Sequence, residues 1–452
     1  MIDSKLSQIT RVLRGEWHGD DCHVKGACID TRALQKGQLF FALSGTQRDG
    51  HEFVAQAAEA GASAAVVERY LEDVDLPQCV VSDARLALGH LAAWWRAQLN
   101  ETRFVALTGS NGKTTVKEML KQILSAVGST CATQGNFNND LGLPLTLLRV
   151  GREHQFAVLE MGASQFGEIE YLTQVAKPDV ALVNNAGPAH LDGFKDISGV
   201  ARGKGEIYNG LGEKGIAIIN ADDIHADYWR SLCADKTVVS FGLENSADVQ
   251  GQWSSQTKTL NLQVGGDKLD SGSVLIKLPL SGRHNARNAV AAAAVALAAG
   301  VDLDAVEKGL SKVRPVAGRM VPMTARGGFY LIDDTYNANP ASLMAGIDVA
   351  LDMQRPVWLA LGDLAELGDN SETVHAQLGE QVQQRGVQRL FTLGEQSKNA
   401  AERFGEGAAA FDSPEALAQQ IETLATRDVV LLVKGSRSSR MERVVRLLSE
   451  ES

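Results

Sequence analysis

Residues suited to holding a polyphosphate lie together in one stretch, Gly109-Ser110-Asn111-Gly112-Lys113-Thr114-Thr115. Glycines let the backbone approach phosphate oxygens, the lysine supplies a positive charge, and the first threonine offers a hydroxyl for Mg²⁺. The common P-loop has four residues between its glycines, whereas here two residues lie between Gly109 and Gly112. That difference argues against most GTPases and simple kinases. The alternative is a glycine-rich turn that only caps a helix.

The flanking sequence predicts a strand before this motif and a helix after it. Arg103 to Leu107 form a mostly apolar run typical of a buried strand. Apolar residues at helical spacing follow the motif, namely Val116, Met119, Leu120, Ile123, Leu124 and Val127. A helix that begins here directs its free N–H groups and the positive end of its dipole at one point. We therefore expect a polyphosphate ligand at this corner.

Composition limits the classes of function. A chain of 452 residues is too long for one core and suggests about three domains. The formal net charge is −11 and no basic run occurs, so nucleic acid and anionic membranes are poor partners. Five cysteines without metal-type pairing suit a reducing cytoplasm. The longest apolar run, 289–299, is too short to span a bilayer, and we expect a cytoplasmic protein.

Residues 1–82 have the pattern of a small α/β domain. A strand is predicted over 39–43, an amphipathic helix over 53–60 and a second strand over 64–67. Arg32, Arg48 and His51 lie on loops. They could face a phosphate-bearing ligand, or they could be solvated loop residues.

Residues 83–313 are predicted to form a central domain with a parallel sheet. Three further apolar runs, at 156–159, 180–183 and 216–219, are separated by helical sequence. Ligands collect beyond the carboxyl ends of parallel strands, which selects Glu160, Asn184, Asn185 and His190. Glu160 is either a Mg²⁺ ligand or a helix-capping acid, and His190 is either a ligand or a loop histidine. Residues 246–280 alternate as antiparallel strands do, and 289–299 predict a packed core helix.

Residues 314–452 are predicted to form a third domain that begins at a linker over 314–319. Four β-type runs, at 329–332, 357–361, 390–393 and 429–433, end in polar residues. A second, Rossmann-like sheet of the nucleotide-binding type is the simplest interpretation. The fold class is therefore α/β with three domains.

In this order, the motifs resemble those of the Mur ligase family over essentially the whole chain. The matching blocks are Gly-Ser-Asn-Gly-Lys-Thr-Thr, Gly-Asn-Phe-Asn-Asn, Leu-Glu-Met-Gly, Asn-Asn-Ala-Gly-Pro-Ala-His-Leu-Asp, Gly-Arg-His-Asn and Asp-Asp-Thr-Tyr-Asn-Ala-Asn. Within the family, the Asp-Thr-Arg, Asp-Gly-His, Lys-Gly-Glu-Ile-Tyr, Gly-Asp-Leu-Ala-Glu-Leu-Gly and Lys-Gly-Ser-Arg blocks resemble the ligases that add D-alanyl-D-alanine to UDP-N-acetylmuramoyl-tripeptide. The Asp-Asn-Pro-Arg block of the diaminopimelate-adding members is absent.

The resemblance implies a peptide ligase that uses ATP and Mg²⁺. The γ-phosphate goes to the terminal carboxylate of the tripeptide, and the amine of D-alanyl-D-alanine attacks the resulting acyl phosphate to give the pentapeptide precursor of peptidoglycan. No nucleic acid or membrane partner is implied, and we expect a monomer.

The resemblance also assigns site residues. Catalytic roles fall to Lys113, Glu160, His190, Lys204 and Arg319. Two Mg²⁺ sites are implied, with Thr114, Glu160, His190 and Lys204 as ligands. Residues 109–115, Asn285, Asn288, Arg319 and Asp334 are implied to bind the nucleotide, although Asp333 is an alternative to its neighbour. Substrate contacts are implied for Asp30, Thr31, Arg32, Asn138, Asn139, Tyr336, Asn337, Lys434 and Arg437.

Lys204 needs a separate interpretation because a cationic lysine is repelled by two Mg²⁺ ions. In the family the matching lysine is carbamoylated by CO₂, which makes it an anionic ligand. The alternative is an unmodified lysine that pairs with phosphate.

Two rival functions follow from the same motifs. Another ligase of the family, such as folylpolyglutamate synthetase, shares the short P-loop but needs a pterin site in place of the first domain. A binding protein that uses ATP as a conformational switch is the second rival. Release of ADP that depends on both peptide substrates separates the three.

Overall fold

The first part of the chain forms a small α/β unit. The structure, a computed structural model, describes residues 1–45 and 48–449. The elements of this unit are β1 (Asp3–Lys5), α1 (Leu6–Leu13), β2 (Glu16–His18), β3 (His23–Lys25), β4 (Ala27–Cys28), β5 (Leu39–Phe41), α2 (Val54–Glu59), β6 (Ala64–Val67) and β7 (Gln78–Val80). Its sheet has the order β2-β7-β6-β5-β4, in which only β2 runs antiparallel to its neighbour. Strands β1 and β3 pair separately.

The central unit contains a nine-stranded sheet. Its elements are α3 (Ala84–Arg96), β8 (Arg103–Thr108), α4 (Lys113–Ser125), β9 (Thr130–Ala132), α5 (Gly142–Arg149), β10 (Phe156–Glu160), α6 (Glu168–Ala176), β11 (Val180–Val183), α7 (Leu191–Phe194), α8 (Ile197–Gly205), β12 (Ile216–Asn220), α9 (Ala226–Leu232), β13 (Thr237–Gly242), β14 (Val249–Ser254), β15 (Thr259–Val264), β16 (Gly272–Lys277), α10 (Arg283–Ala298) and α11 (Leu303–Leu310). The strand order is β16-β15-β14-β13-β12-β11-β8-β10-β9. Strands β8 to β13 are parallel, and β14 to β16 pair antiparallel.

The third unit has a six-stranded sheet between helices. Its elements are β17 (Val321–Thr324), β18 (Tyr330–Asp334), α12 (Pro340–Leu351), β19 (Val357–Gly362), α13 (Ser371–Gln384), β20 (Arg389–Leu393), α14 (Ser397–Phe404), β21 (Ala408–Phe411), α15 (Pro414–Leu424), β22 (Val430–Lys434) and α16 (Glu442–Leu448). The order is β17-β18-β22-β19-β20-β21, and all neighbours except β17 and β18 run parallel.

The predicted fold class is confirmed, and most predicted strands agree with the observed ones to within two residues. Strands β8, β10 and β11 are buried along almost their whole length, as expected for parallel strands covered on both faces. The antiparallel region and the alanine-rich core helix α10 are also present. Helix α4 ends at Ser125, so Val127, which the helical spacing included, lies beyond it and is 51% exposed.

The two larger sheets place polar residues at the carboxyl ends of their strands. The P-loop follows β8, Glu160 ends β10 and Asn184 follows β11 in the central unit. Asp334 ends β18 and Lys434 ends β22 in the third unit. None of the described helices is long and apolar enough to cross a bilayer.

Candidate active site

The P-loop needs glycine at two positions. Gly109 and Gly112 have φ angles of +152° and +81°, which favour glycine. A Cβ atom on Gly112 would lie 2.4 Å from Oδ1 of Asn288 and 2.7 Å from Nδ2 of Asn184. The loop therefore packs directly against two asparagine side chains, and a larger residue would displace them.

The segment after β11 fixes the P-loop from one side. The backbone N–H of Asn111 donates to Oδ1 of Asn185 at 2.9 Å, and Ser110 Oγ donates to the carbonyl of Gly187 at 3.0 Å. Nδ2 of Asn184 donates to the carbonyl of Asn111 at 2.9 Å. The loop is thus held in one conformation before any ligand binds.

Lys113 folds back over the loop. Its Nζ donates to the carbonyl of Gly109 at 2.6 Å. Burial lowers the pKa of Lys113, while the carboxylate of Glu160 opposes this shift. The ammonium group therefore stands beside the loop where a phosphate chain would lie.

Glu160 is the best candidate for a metal ligand. The residue is 2% exposed, and its Oε1 accepts hydrogen bonds from Asn138 at 2.9 Å and from the Thr114 hydroxyl at 3.4 Å. Oε2 is buried without a hydrogen-bond partner among the described residues. A buried carboxylate oxygen with no donor fits a cation, so these residues are compatible with Mg²⁺. Among the described residues, the Glu160 carboxylate accepts hydrogen bonds only from side chains, so it caps no helix there, which was the alternative interpretation.

Other predicted ligands are more dispersed. Within residues 1–45 and 48–449, no group of three or more His, Cys, Asp and Glu side chains has metal-binding geometry. His190 pairs instead with Glu366, whose Oε2 lies 2.8 Å from Nδ1. This contact lowers the pKa of Glu366.

Asn139, a predicted substrate contact, has a structural partner. Its Oδ1 accepts the backbone N–H of Gly142 at the start of α5.

Lys204 is buried without an acidic partner. The residue is 1% exposed, and its Nζ donates to the carbonyl of Ala163 at 3.1 Å and lies 5.4 Å from the centre of the Phe194 ring. Within residues 1–45 and 48–449, Nζ of Lys204 has no ion-pair partner, and the charges of Glu168, Glu206 and Glu366 act on it only from farther away. Burial, with a contribution from Lys113, lowers the pKa of Lys204 to about 7. A large fraction of this amine is therefore neutral near pH 7.

The third unit contacts the P-loop directly. Nη2 of Arg319 donates to Oγ1 of Thr114 at 3.1 Å, and Nδ2 of Asn339 donates to Oδ1 of Asn111 at 2.9 Å. The Arg319 guanidinium lies 4.2 Å from the centre of the Tyr336 ring, and that of Arg437 lies 5.9 Å from it. Two cationic side chains thus share one aromatic support at the cleft.

Asp334 and Lys434 form a buried ion pair. Nζ of Lys434 lies 2.5 Å from Oδ2 of Asp334 and 3.1 Å from the carbonyl oxygen of Asn337. Both residues line the cleft. The neighbouring Asp333 accepts instead from the backbone and hydroxyl of Thr335. Of the two adjacent acids, only Asp334 lies at the cleft.

Two of the residues implied to bind the nucleotide, Asn285 and Asn288, lie near the start of α10. Asn285 donates to the carbonyl of Ser281 at 2.8 Å, and Asn288 Oδ1 accepts from Asn184 at 3.0 Å. Burial lowers the pKa of His284 to about 4, so its ring is neutral at pH 7. The His284 ring therefore contributes no charge to this wall of the cleft at pH 7.

One cavity of about 1070 Å³ lies between the central and third units. It collects most of the predicted site residues, namely Ser110 to Thr115, Asn138, Glu160, His190, Asn285, Asn288, Arg319, Asp334, Tyr336, Asn337, Lys434 and Arg437. Lys204 and Asn139 do not line it. Its size suits a nucleotide with a peptide end beside it.

Asp30, Thr31 and Arg32 lie in the first unit, outside this cavity. Arg32 pairs with Asp30, with Nη2 2.6 Å from Oδ2, and this contact lowers the pKa of Asp30 to about 2. Thr31 donates to Gln56 at 3.0 Å. His51 is buried and accepts the backbone N–H of Glu68, so it is a structural residue and not a solvated one.

Sequence reasoning assigned no site role to Glu366 or Asn339. Both lie in motifs that carried the resemblance, Gly-Asp-Leu-Ala-Glu-Leu-Gly and Asp-Asp-Thr-Tyr-Asn-Ala-Asn. Their partners, His190 and Asn111, are more than 170 positions away in the sequence. No local pattern could have indicated those contacts.

Three family models match consecutive parts of the chain. They are the Mur ligase family, catalytic domain over residues 23–96, the Mur ligase middle domain over 107–296, and the Mur ligase, glutamate ligase domain over 318–437.

Curated relatives match along the full length. The chain is 44% identical to the UDP-N-acetylmuramoyl-tripeptide--D-alanyl-D-alanine ligase of Escherichia coli K12, covering 100% of this chain and 99% of the relative. It is 35% identical to the Bacillus subtilis protein of the same name, with the same coverage.

Solved structures share the fold. A crystal structure of MurF from Acinetobacter baumannii superposes with a TM-score of 0.91 at 36% identity, covering 99% of this chain and 98% of the other. The MurF ligase from Thermotoga maritima in complex with ADP gives 0.81 at 27% identity, with coverage of 94% and 97%.

Proposed function

This chain belongs to the Mur ligase family, and we propose that it joins D-alanyl-D-alanine to UDP-N-acetylmuramoyl-tripeptide. ATP drives the reaction, and the products are the pentapeptide precursor of peptidoglycan, ADP and phosphate. The enzyme is an ADP-forming peptide ligase. A nucleotide-linked precursor and ATP are both cytoplasmic compounds, which supports a cytoplasmic enzyme. That the enzyme is a monomer remains an expectation from the family resemblance.

The contact between Arg319 and Thr114 carries this proposal. A protein that only binds ATP needs the P-loop alone, whereas phosphoryl transfer to a second molecule needs cations on both sides of the γ-phosphate. Lys113 stands on the central side and Arg319 on the third-unit side of the same cleft. Two cations that converge from different units support a transfer reaction.

The proposed chemistry has two steps. A carboxylate oxygen of the tripeptide attacks the γ-phosphorus, the bond to the β-phosphate oxygen breaks, and ADP leaves. The neutral amine of D-alanyl-D-alanine then attacks the acyl carbon, phosphate leaves, and the nitrogen loses a proton. The first step brings two anions together, so Lys113 and Arg319 lower its barrier by placing positive charge beside the transferring group.

Thr114, Glu160, His190 and Lys204 are the residues proposed to hold Mg²⁺. The unpartnered Oε2 of Glu160 supports the first site. When bound, the ion neutralises phosphate charge and helps to orient the phosphate chain. Asn138 donates to Oε1 of Glu160 and thereby fixes the carboxylate that would hold the ion.

Lys204 is proposed to react with CO₂ to form a carbamate. A neutral amine is the nucleophile in that reaction, and the lowered pKa of Lys204 supplies it. The carbamate would also replace a cation, which repels Mg²⁺, with an anionic oxygen ligand of the kind that Mg²⁺ prefers. This supports the modified lysine over an unmodified one that pairs with phosphate.

We propose binding roles for the other predicted site residues. Gly109 to Thr115, Asn285, Asn288, Arg319 and Asp334 bind the nucleotide. Asn138, Asn139, Tyr336, Asn337, Lys434 and Arg437 face the peptide substrates, and Asp30, Thr31 and Arg32 face the uridine nucleotide. We also propose that the three domains are divided after residues 82 and 313.

The test is to measure ADP release with each substrate omitted in turn. We expect sustained ADP release over many turnovers only when ATP, UDP-N-acetylmuramoyl-tripeptide and D-alanyl-D-alanine are all present. Release with a folate and glutamate would identify a different ligase of the family. ATP binding without turnover under every combination would identify a nucleotide-switched binding protein.

A further inference from the structure

The loop after β19 reaches across the cleft to the loop after β11. Oε2 of Glu366, in the third unit, lies 2.8 Å from Nδ1 of His190, in the central unit. The side chains are 53% and 27% exposed. Nε2 of His190 forms no hydrogen bond within residues 1–45 and 48–449. The carboxylate therefore occupies one ring nitrogen and leaves the other available to a metal ion.

Both partners have an uncommon backbone conformation. The φ angle is 53° at His190 and 64° at Glu366, a region that residues other than glycine rarely adopt. Nearby, Gly368 has a φ of 60°, and a Cβ atom there would lie 2.8 Å from Oδ1 of Asp192. Such conformations persist where the surrounding structure specifies them, and they concentrate at functional sites. The two loops are thus shaped to meet.

A buried histidine supports the Glu366 loop from behind. His375 on α13 is fully buried, and its Nε2 accepts the backbone N–H of Leu364 at 3.0 Å. Its Nδ1 donates to the carbonyl of Ser371 at 2.7 Å. One imidazole thereby ties the loop to the helix, so the position of Glu366 is set by the third unit and not by a free loop.

We propose that Glu366 is a positioning residue that orients His190 as a metal ligand when the third unit docks on the central unit. A carboxylate that accepts from Nδ1 fixes the tautomer and the orientation of a ligand histidine. Here the carboxylate and the histidine come from different units, so docking of the third unit brings the orienting carboxylate to the histidine. The proposal rests on the proposed function, which gives His190 its role.

The test uses Mn²⁺ as a paramagnetic probe of the metal site in the full chain, with free Mn²⁺ measured by electron paramagnetic resonance. The variants are Glu366→Ala, Glu366→Gln and the control Glu406→Ala, which changes an exposed glutamate of the same unit. We expect about tenfold weaker binding for Glu366→Ala. Glu366→Gln should keep most of the affinity, because its amide oxygen still accepts from Nδ1. The control should bind as the unchanged protein does.

A double-mutant cycle shows whether Glu366 acts through His190. His190→Ala alone and His190→Ala with Glu366→Ala should bind Mn²⁺ equally weakly. Equal affinity in the unchanged protein and Glu366→Ala would overturn the proposal, as would a double variant weaker than His190→Ala. Failure of the proposed function would be seen in a different experiment. In that case the protein without substitutions would release no ADP in the presence of its peptide substrates.

Discussion

Nη2 of Arg319 donates a 3.1 Å hydrogen bond to the hydroxyl of Thr114, which joins the start of the third unit to the first turn of the P-loop helix. The Nε atom of Arg319 is buried without a partner among the described residues. Tyr336 supports the guanidinium plane from one side. The arginine therefore keeps donor capacity beside the first turn of the P-loop helix.

Arg319→Lys should lower kcat by roughly 100-fold or more, with a much smaller change in the KM for ATP. A lysine keeps the charge but loses the planar, forked donors and the stacking on Tyr336. Steady-state ADP release checks this result. The matched control is Arg385→Ala, an exposed arginine of the same unit that pairs with Asp348. Equal loss in both variants would mean that general damage to the third unit explains the effect.

Lys113→Ala should abolish measurable ADP release and leave thermal unfolding almost unchanged. Among the described residues, Nζ of Lys113 hydrogen-bonds only to its own loop, at the carbonyls of Gly109 and Ser110. The loop is held independently by Asn184 and Asn185. Lys121→Ala, an exposed lysine two turns further along the same helix, is the control. Peptide joining at the normal rate by Lys113→Ala would refute the proposed mechanism.

The parts of the fold that sequence predicted are those with local signals. Strands such as Val180–Val183 are short apolar runs, and the P-loop has a fixed spacing, so both were predicted correctly. The strands Thr130–Ala132 and Ala408–Phe411 are only three and four residues long and contain alanine, which is weak evidence for a strand, so the sequence predicts neither.

Contacts between units have no local signal in the sequence. The pairing of Glu366 with His190 and of Lys434 with Asp334 depends on how two sheets and two units meet. In the sequence alone, a lysine at the end of a strand fits the role of a substrate ligand and that of an ion-pair partner equally well. Only the three-dimensional structure brings Lys434 against Asp334 and leaves Arg437 largely exposed, at 68%.

Lys204→Ala should be inactive, and short carboxylates such as acetate or propionate should restore part of the activity. Truncation removes the side chain that would carry the carbamate and leaves space beside Phe194 for a small acid. In the unchanged protein, ¹³C NMR with labelled bicarbonate should give a carbamate signal that the variant lacks. A variant with full activity, or a signal present in both proteins, would contradict the carbamate.

His284 should make the protein less stable as the pH falls from about 6.5 to 4. Its pKa in the folded protein is about 4, below the unfolded value of about 6.5, so between these values the unfolded state binds more protons. His284 is only partly buried and lines the cavity, so solvent screening reduces the effect, and we expect roughly 1–2 kcal/mol. Calorimetry at several pH values should show a smaller loss for His284→Gln. If the stability of both proteins fell equally with pH, protonation of His284 would not be the cause of the loss.

Lys434→Met should destabilise the third unit by about 3 kcal/mol, because it leaves the buried carboxylate of Asp334 without its partner. Adding Asp334→Asn should recover much of that loss, since no uncompensated charge then remains. Differential scanning calorimetry of the two single variants and the double variant measures the coupling. The exposed pair of Lys398 and Asp412, with 2.9 Å between Nζ and Oδ1, is the control and should show a coupling below about 1 kcal/mol. Additive losses at Lys434 and Asp334 would mean that the two charges act independently, and Lys434 would then be free to serve the peptide substrate as the sequence motif implied.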